Sequence, residues 1–112
     1  YKVALELLSK KERPTAILCA TDKMAFGVFK AARELGLSIP RDVSVIGHDN
    51  LPASSTTEPA LTTMELPLVK AGARLAELLL KAIKSPDPTP SLDILPVRFI
   101  ERGSTAPPLN RY

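Results

Sequence analysis

Residues 43–50 read Val-Ser-Val-Ile-Gly-His-Asp-Asn. Short runs rich in β-branched residues favour strands, so residues 43–48 are read as one. Three polar residues, His48, Asp49 and Asn50, crowd its carboxyl end. In open parallel sheets, ligands bind outside the carboxyl ends of the strands. The stretch therefore predicts both a sheet type and a place to look for chemistry. Beyond it, the segment to Pro59 is rich in Ser, Thr and Pro and reads as a long loop.

Upstream, residues 15–20 (Thr-Ala-Ile-Leu-Cys-Ala) form a nearly continuous apolar run. That is the pattern of a parallel strand buried on both faces. Thr21-Asp22 follow, and either can cap a helix. Residues 23–35 read as that helix, closed by Gly36. Its apolar stripe is Met24, Val28, Ala31, Ala32 and Leu35, and Phe26 and Phe29 lie off it. An apolar second side points to a partner surface or to an element outside this chain. Residues 1–12 read as the last part of another helix, and residues 37–42 as a loop.

Downstream, residues 61–66 are a third strand. Pro67 suits the first position of a helix over 67–84, where its missing N–H is not needed. Leu68, Ala71, Gly72, Leu75, Leu79 and Ala82 line one side of that helix; Lys70, Arg74, Glu77, Lys81 and Lys84 line the other. The Pro-rich segment 85–91 is a loop. Residues 92–101 form a final strand, with Leu95, Val97 and Phe99 on one face and Pro96 favouring an edge. The tail after Arg102 is expected to be mobile. The order α-β-α-β-β-α-β predicts an α/β fold, a mainly parallel sheet with helices on both faces.

Composition narrows the function. The chain has 112 residues, 45% hydrophobic and 24% charged, as in a globular protein. Lys and Arg total 15 against 12 Asp and Glu, but the two signs are interleaved and give no phosphate-binding track. Cys19, the single cysteine, lies in an apolar strand and reads as an inert core thiol of a reducing compartment. No apolar run approaches the ~20 residues of a membrane span. No signal-peptide pattern is read at the start of the chain, and its first residue, Tyr1 in place of Met, leads us to expect a piece of something longer.

No Gly-rich phosphate loop, nucleophile elbow or metal-ligand spacing is present, so neither a catalytic residue nor a metal or cofactor is expected. What remains is a carboxylate beside hydroxyl and amide groups. That set suits hydrogen bonding to sugar or nucleoside hydroxyls, with a right-handed crossover bringing the 21–22 and 48–50 strand ends together.

The segments Pro14–Ile17, Ala20–Gly27, Glu34–Gly36, Ile39–Asn50, Pro59–Thr63, Pro96-Val97 and Glu101–Thr105, in this order and spacing, resemble the C-terminal part of LacI/GalR-family transcriptional repressors. The resemblance covers residues 14–108. It implies a two-lobed sensor with a periplasmic-binding-protein-like (type I) fold, taking a small sugar-like or nucleoside-like effector between its lobes. It further implies a homodimer in the bacterial cytoplasm that reaches DNA only through an N-terminal domain this chain lacks. Residues 1–64 then belong to the C-terminal lobe, 65–91 to a crossover and a helix of the other lobe, 92–106 to a return strand, and 107–112 to a tail. Asp49 matches the family's acidic effector contact. Thr21 stands where Asn is usual, Asn50 where a second Asp is common, and His48 where an aromatic is usual. All four are expected effector-binding residues. Leu66 and Leu68 fall in a region that often lines the cleft. Phe26, with Phe29, falls on the helix that forms the dimer seam. A periplasmic sugar-binding protein of a transporter is the alternative, disfavoured by the Glu101–Thr105 ending and by Phe26.

Overall fold

The computed structural model describes residues 1–85 and 92–108. The elements are α1 (Lys2–Leu8), β1 (Ala16–Leu18), α2 (Asp22–Glu34), β2 (Ser44–Ile46), β3 (Thr63–Glu65), α3 (Leu68–Lys84) and β4 (Arg98–Ile100). One 3-10 turn, Pro52–Ser55, interrupts the loop before β3. The Pro-rich segment and the final tail lie, apart from Ser85, Pro107 and Pro108, outside the described residues.

β2 is the central strand. It pairs in parallel with β1, Ala16 opposite Ser44 and Leu18 opposite Ile46. The ladder continues past both strands, with Cys19 N donating to Ile46 O and Asp22 N to His48 O. On its other side β2 faces the 62–64 segment, again in parallel. Gly47 N donates to Thr62 O and Asp49 N to Met64 O, both at 2.9 Å. Alternate residues of a strand bond to opposite neighbours, so 45, 47 and 49 all turn the same way. Val45 N accordingly reaches Ser104 O at 2.8 Å. β3 and β4 form a second two-stranded sheet.

The core gathers Ala4, Leu8, Cys19, Ala25, Val28, Ala31, Ala32, Val43, Val45 and Leu61. Four of these ten are alanines, three of them on α2, and small side chains let that helix lie close to the sheet. Its core face is rotated from the expected one. Ala25 is buried, whereas Met24 is 58% exposed and Leu35 is also exposed. The rotation follows from Asp22, whose side chain turns inward and carries the Ala25 face with it. β1 is likewise not buried on both faces. Cys19 points in, but Leu18 is 72% exposed.

Three further expectations change. Pro67 is the residue before α3 and not its first residue. The last strand shrinks to Arg98–Ile100, with Val97 and Phe99 exposed. The segment after Arg102 is anchored: Ser104 is fully buried, and Ala106 exchanges hydrogen bonds with the Ser44 hydroxyl. The backbone there completes the row of acceptors beside β2, which an unpaired edge would otherwise lack.

The chain divides into two units. Tyr1–Glu65 and the residues from Phe99 onward make one, and Leu66–Arg98 the other. Within the second, α3 has no buried residue, and Leu68, Leu75 and Leu79 of its apolar stripe are exposed. Arg74 holds the 92–97 segment through Asp93 and pairs with Glu77 on its own helix.

Gly47 is closely approached by side chains from α2 and from the segment before β3. A Cβ there would collide with the Asp22 carboxylate and with Leu61 Cδ2. Gly47→Ala is expected to cost about 1–3 kcal/mol, as overpacking does in well-filled cores. Urea unfolding checks this, with the midpoint falling and the slope unchanged.

Candidate functional site

The site begins at the ends of β1 and β2. Thr21 is extended (φ −147°, ψ 157°) and its hydroxyl accepts from Met24 N at 3.3 Å, which caps α2. The cap is therefore Thr21, and Asp22 is released for another task.

The Asp22 carboxylate is fully buried. It accepts the Ser54 hydroxyl at 2.5 Å, the Thr63 hydroxyl at 2.5 Å and the Leu51 amide at 2.8 Å. Burial alone would raise its pKa. The donors from Ser54, Thr63 and Leu51, with the Arg102 charge, outweigh that and hold the carboxyl below the usual aspartate range. An acidic residue in the first turn also meets the positive end of the helix. Asp22 thus ties α2, the 3-10 turn and β3 to one charge.

Arg102 makes a second junction. Its guanidinium donates to Leu61 O at 2.8 Å and to Asn50 Oδ1 at 2.7 Å, and its amide donates to the Thr62 hydroxyl. Asn50 Nδ2 donates in turn to Glu65 Oε1 at 2.9 Å. Both ends of the Asn50 amide are therefore committed within the protein.

Between these junctions the backbone turns sharply. Asp49 has φ 120° and Asn50 φ 53°. Positive φ is uncommon outside glycine, and such residues cost on the order of 1–3 kcal/mol each unless their surroundings over-determine them. The Asp49 amide is fixed to Met64 O. Its carboxylate is 31% exposed and lies 3.3 Å from Nδ1 of His48, itself 35% exposed. A half-exposed carboxylate and imidazole, held on a fixed backbone, can accept and donate hydrogen bonds to a small polar molecule.

Of the four expected effector residues, Asp49, His48 and Asn50 share the end of β2. Thr21 stands at the end of β1, where the Asp22 N–His48 O bond joins the two ends. Ser54, Thr63 and Glu65 are not singled out by sequence reading. Phe26 and Phe29 are half-buried against the core. They line an open groove of about 710 Å³ with Lys30, Leu37, Ile39 and Glu58, among others. Cys19 is buried, which pushes its thiol pKa up, as an inert core thiol requires. Among the described residues no three His, Cys, Asp or Glu side chains gather as a metal site would need, and no helix is long and apolar enough to cross a membrane.

This combination of a parallel αβ sheet and polar strand ends is the arrangement of an open α/β ligand-binding fold. The family profile described as "Periplasmic binding protein-like domain" matches residues 2–105. The chain belongs to that family, in the form found in LacI/GalR-type transcriptional regulators. It is 41% identical over 106 residues to the HTH-type transcriptional repressor PurR of Yersinia enterocolitica, covering 95% of this chain and 31% of that protein. A LacI-family transcriptional regulator from Enterococcus faecium, solved with bound ribose, is 39% identical with a TM-score of 0.79. That match covers 96% of this chain and 39% of the other. A dimeric Lac repressor with an 11-residue C-terminal deletion is 31% identical with a TM-score of 0.84, covering 97% and 40%. The chain thus spans about a third of the length of the curated relatives it matches.

Because Asp22 is more acidic folded than unfolded, its anion stabilises the fold above the ordinary aspartate pKa of about 4. That contribution is lost as pH falls through the folded value. Asp22→Asn is expected to cost about 1–3 kcal/mol at pH 7, since an amide can satisfy fewer of the three donors. Unfolding free energy measured between pH 7 and pH 3 should decline less steeply in the variant than in the parent.

Proposed function

We propose that this chain is part of the effector-sensing portion of a bacterial transcriptional repressor and carries no catalytic activity. The effector is a small polyhydroxylated molecule, a sugar, sugar derivative or nucleoside, bound at the carboxyl ends of β1 and β2. The observation that carries this reading is the Asp49 carboxylate, half-exposed at the end of the central parallel strand on a backbone fixed to Met64. A carboxylate there accepts from two neighbouring hydroxyls of a sugar. His48 lies beside it as a further partner, and Thr21 contributes its hydroxyl from the adjacent strand end. The ribose bound by the regulator from Enterococcus faecium supports a pentose as the first candidate.

Phe26 and Phe29 supply the apolar part of a surface for a second copy of the chain. Lys30 and Glu58 beside them give that surface both charges, so opposite signs can meet across a two-fold axis. The dimeric Lac repressor, similar along nearly all of this chain, supports the assignment. DNA contact belongs to a part of the protein outside this segment, and the cytoplasm is the compartment of action.

Calorimetry with ribose, hexoses and nucleosides tests the site in the intact protein. At least one should bind, and Asp49→Ala should weaken that binding by about tenfold or more, from loss of a charged hydrogen-bond partner. Unchanged affinity would contradict the role. For the dimer, Phe26→Asp should raise the monomer fraction in sedimentation velocity, and an unaltered profile would count against the surface.

A further inference from the structure

Asn50 stands one residue from the proposed effector contact, yet its side chain is occupied. Its carbonyl oxygen accepts from the Arg102 guanidinium at 2.7 Å, and its amide nitrogen donates to Glu65 Oε1 at 2.9 Å. Arg102 is itself anchored on Leu61 O and, through its amide, on the Thr62 hydroxyl. The result is a chain of bonds, Leu61–Arg102–Asn50–Glu65, in which every polar end has a defined partner type: cation to carbonyl, amide nitrogen to carboxylate.

We infer that Asn50 and Arg102 form a clamp that positions Asp49 for the effector, and that Asn50 acts through Asp49 instead of touching the effector itself. The inference rests on the proposed role of Asp49. Three observations carry it. Asp49 and Asn50 hold consecutive positive φ angles, and such a turn persists only where its neighbours impose it. The clamp grips the second of the two residues through its side chain, while the Met64 carbonyl grips the first through its amide. The two grips come from Glu65 and Met64 on β3 and from Arg102 just beyond β4. These are the residues where the chain leaves the first unit, after Glu65, and the stretch after its return at Phe99. The clamp therefore fixes the effector-binding turn to both connecting segments of the chain.

The polarity of the bonds makes the clamp testable by a swap. Asn50→Asp keeps an oxygen for Arg102 but sets a second carboxylate against Glu65. Adding Glu65→Gln to that variant restores a donor facing an acceptor, now with the roles reversed. Asn50→Gly separates the clamp from backbone preference, because glycine accepts positive φ freely but makes neither side-chain bond.

Amide hydrogen exchange at Asp49 and ribose affinity are read together, at a temperature where circular dichroism shows every variant folded. The clamp predicts that Asn50→Asp and Asn50→Gly each speed Asp49 exchange by tenfold or more and weaken ribose binding by a similar factor. N50D/E65Q should return both to within about threefold of the parent. Asp49 exchange unchanged in Asn50→Gly, or no recovery in the double variant, would overturn the clamp whether or not ribose is the effector. If Asp49→Ala leaves binding intact, the reading of Asp49 as the contact fails, and the clamp's functional role with it. If Asp49→Ala abolishes binding while Asn50→Gly and Asn50→Asp do not alter it, the clamp alone fails.

Discussion

One buried carboxylate organises this lobe. Asp22 lies at the first turn of α2, shielded from solvent, and receives three donors from two separate segments. A charge in such a place is costly unless fully hydrogen-bonded. Here the donors and the nearby Arg102 more than offset the burial, and the carboxyl is more acidic than usual. The consequences run outward. Leu51 and Ser54 are drawn in, so the loop after β2 is folded into a 3-10 turn. Thr63 is drawn in from the other side, which sets β3 against β2. Gly47 has no side chain because the Asp22 carboxylate occupies that space.

The turn at Asp49 and Asn50, the proposed effector contact, is built on that frame. Asp49 needs a backbone conformation that its own chemistry disfavours, so the strain must be sustained by neighbours. Met64 O, the Asn50 amide and Arg102 supply that support, and each is held by segments that Asp22 has already brought together. The energy of the sheet and its buried node is thereby used to present one half-exposed carboxylate. This is the general arrangement by which a rigid scaffold gives precision to a loop.

Much of the architecture was legible in the chain. Both long helices, the three internal strands and the polar strand ends at 21–22 and 48–50 follow from periodicity and from Gly, Pro and Thr punctuation. What misled was local. The run 15–20 is apolar enough for burial on both faces, yet Leu18 is exposed. Hydrophobicity places Met24 on the α2 stripe, whereas the helix is turned by a polar anchor that hydrophobicity cannot weigh. Asp22 could be recognised as a helix-start residue, but its partners Ser54 and Thr63 lie 32 and 41 residues away. Arg102 lies 52 residues from Asn50. Pairings at such distances leave no periodic trace in a single sequence. The family resemblance points to Asp49 as a candidate contact but says nothing of the bonds that hold its turn.

Asp22 is a charged, buried node whose carboxylate takes three donors. Carbon-detected NMR titration of its side-chain carboxyl in the folded chain tests this most directly. The midpoint should fall below the ordinary aspartate value, with the Leu51 amide shifting along the same curve. A midpoint at or above the ordinary value would mean that burial outweighs the donors, and the node described here would be wrong.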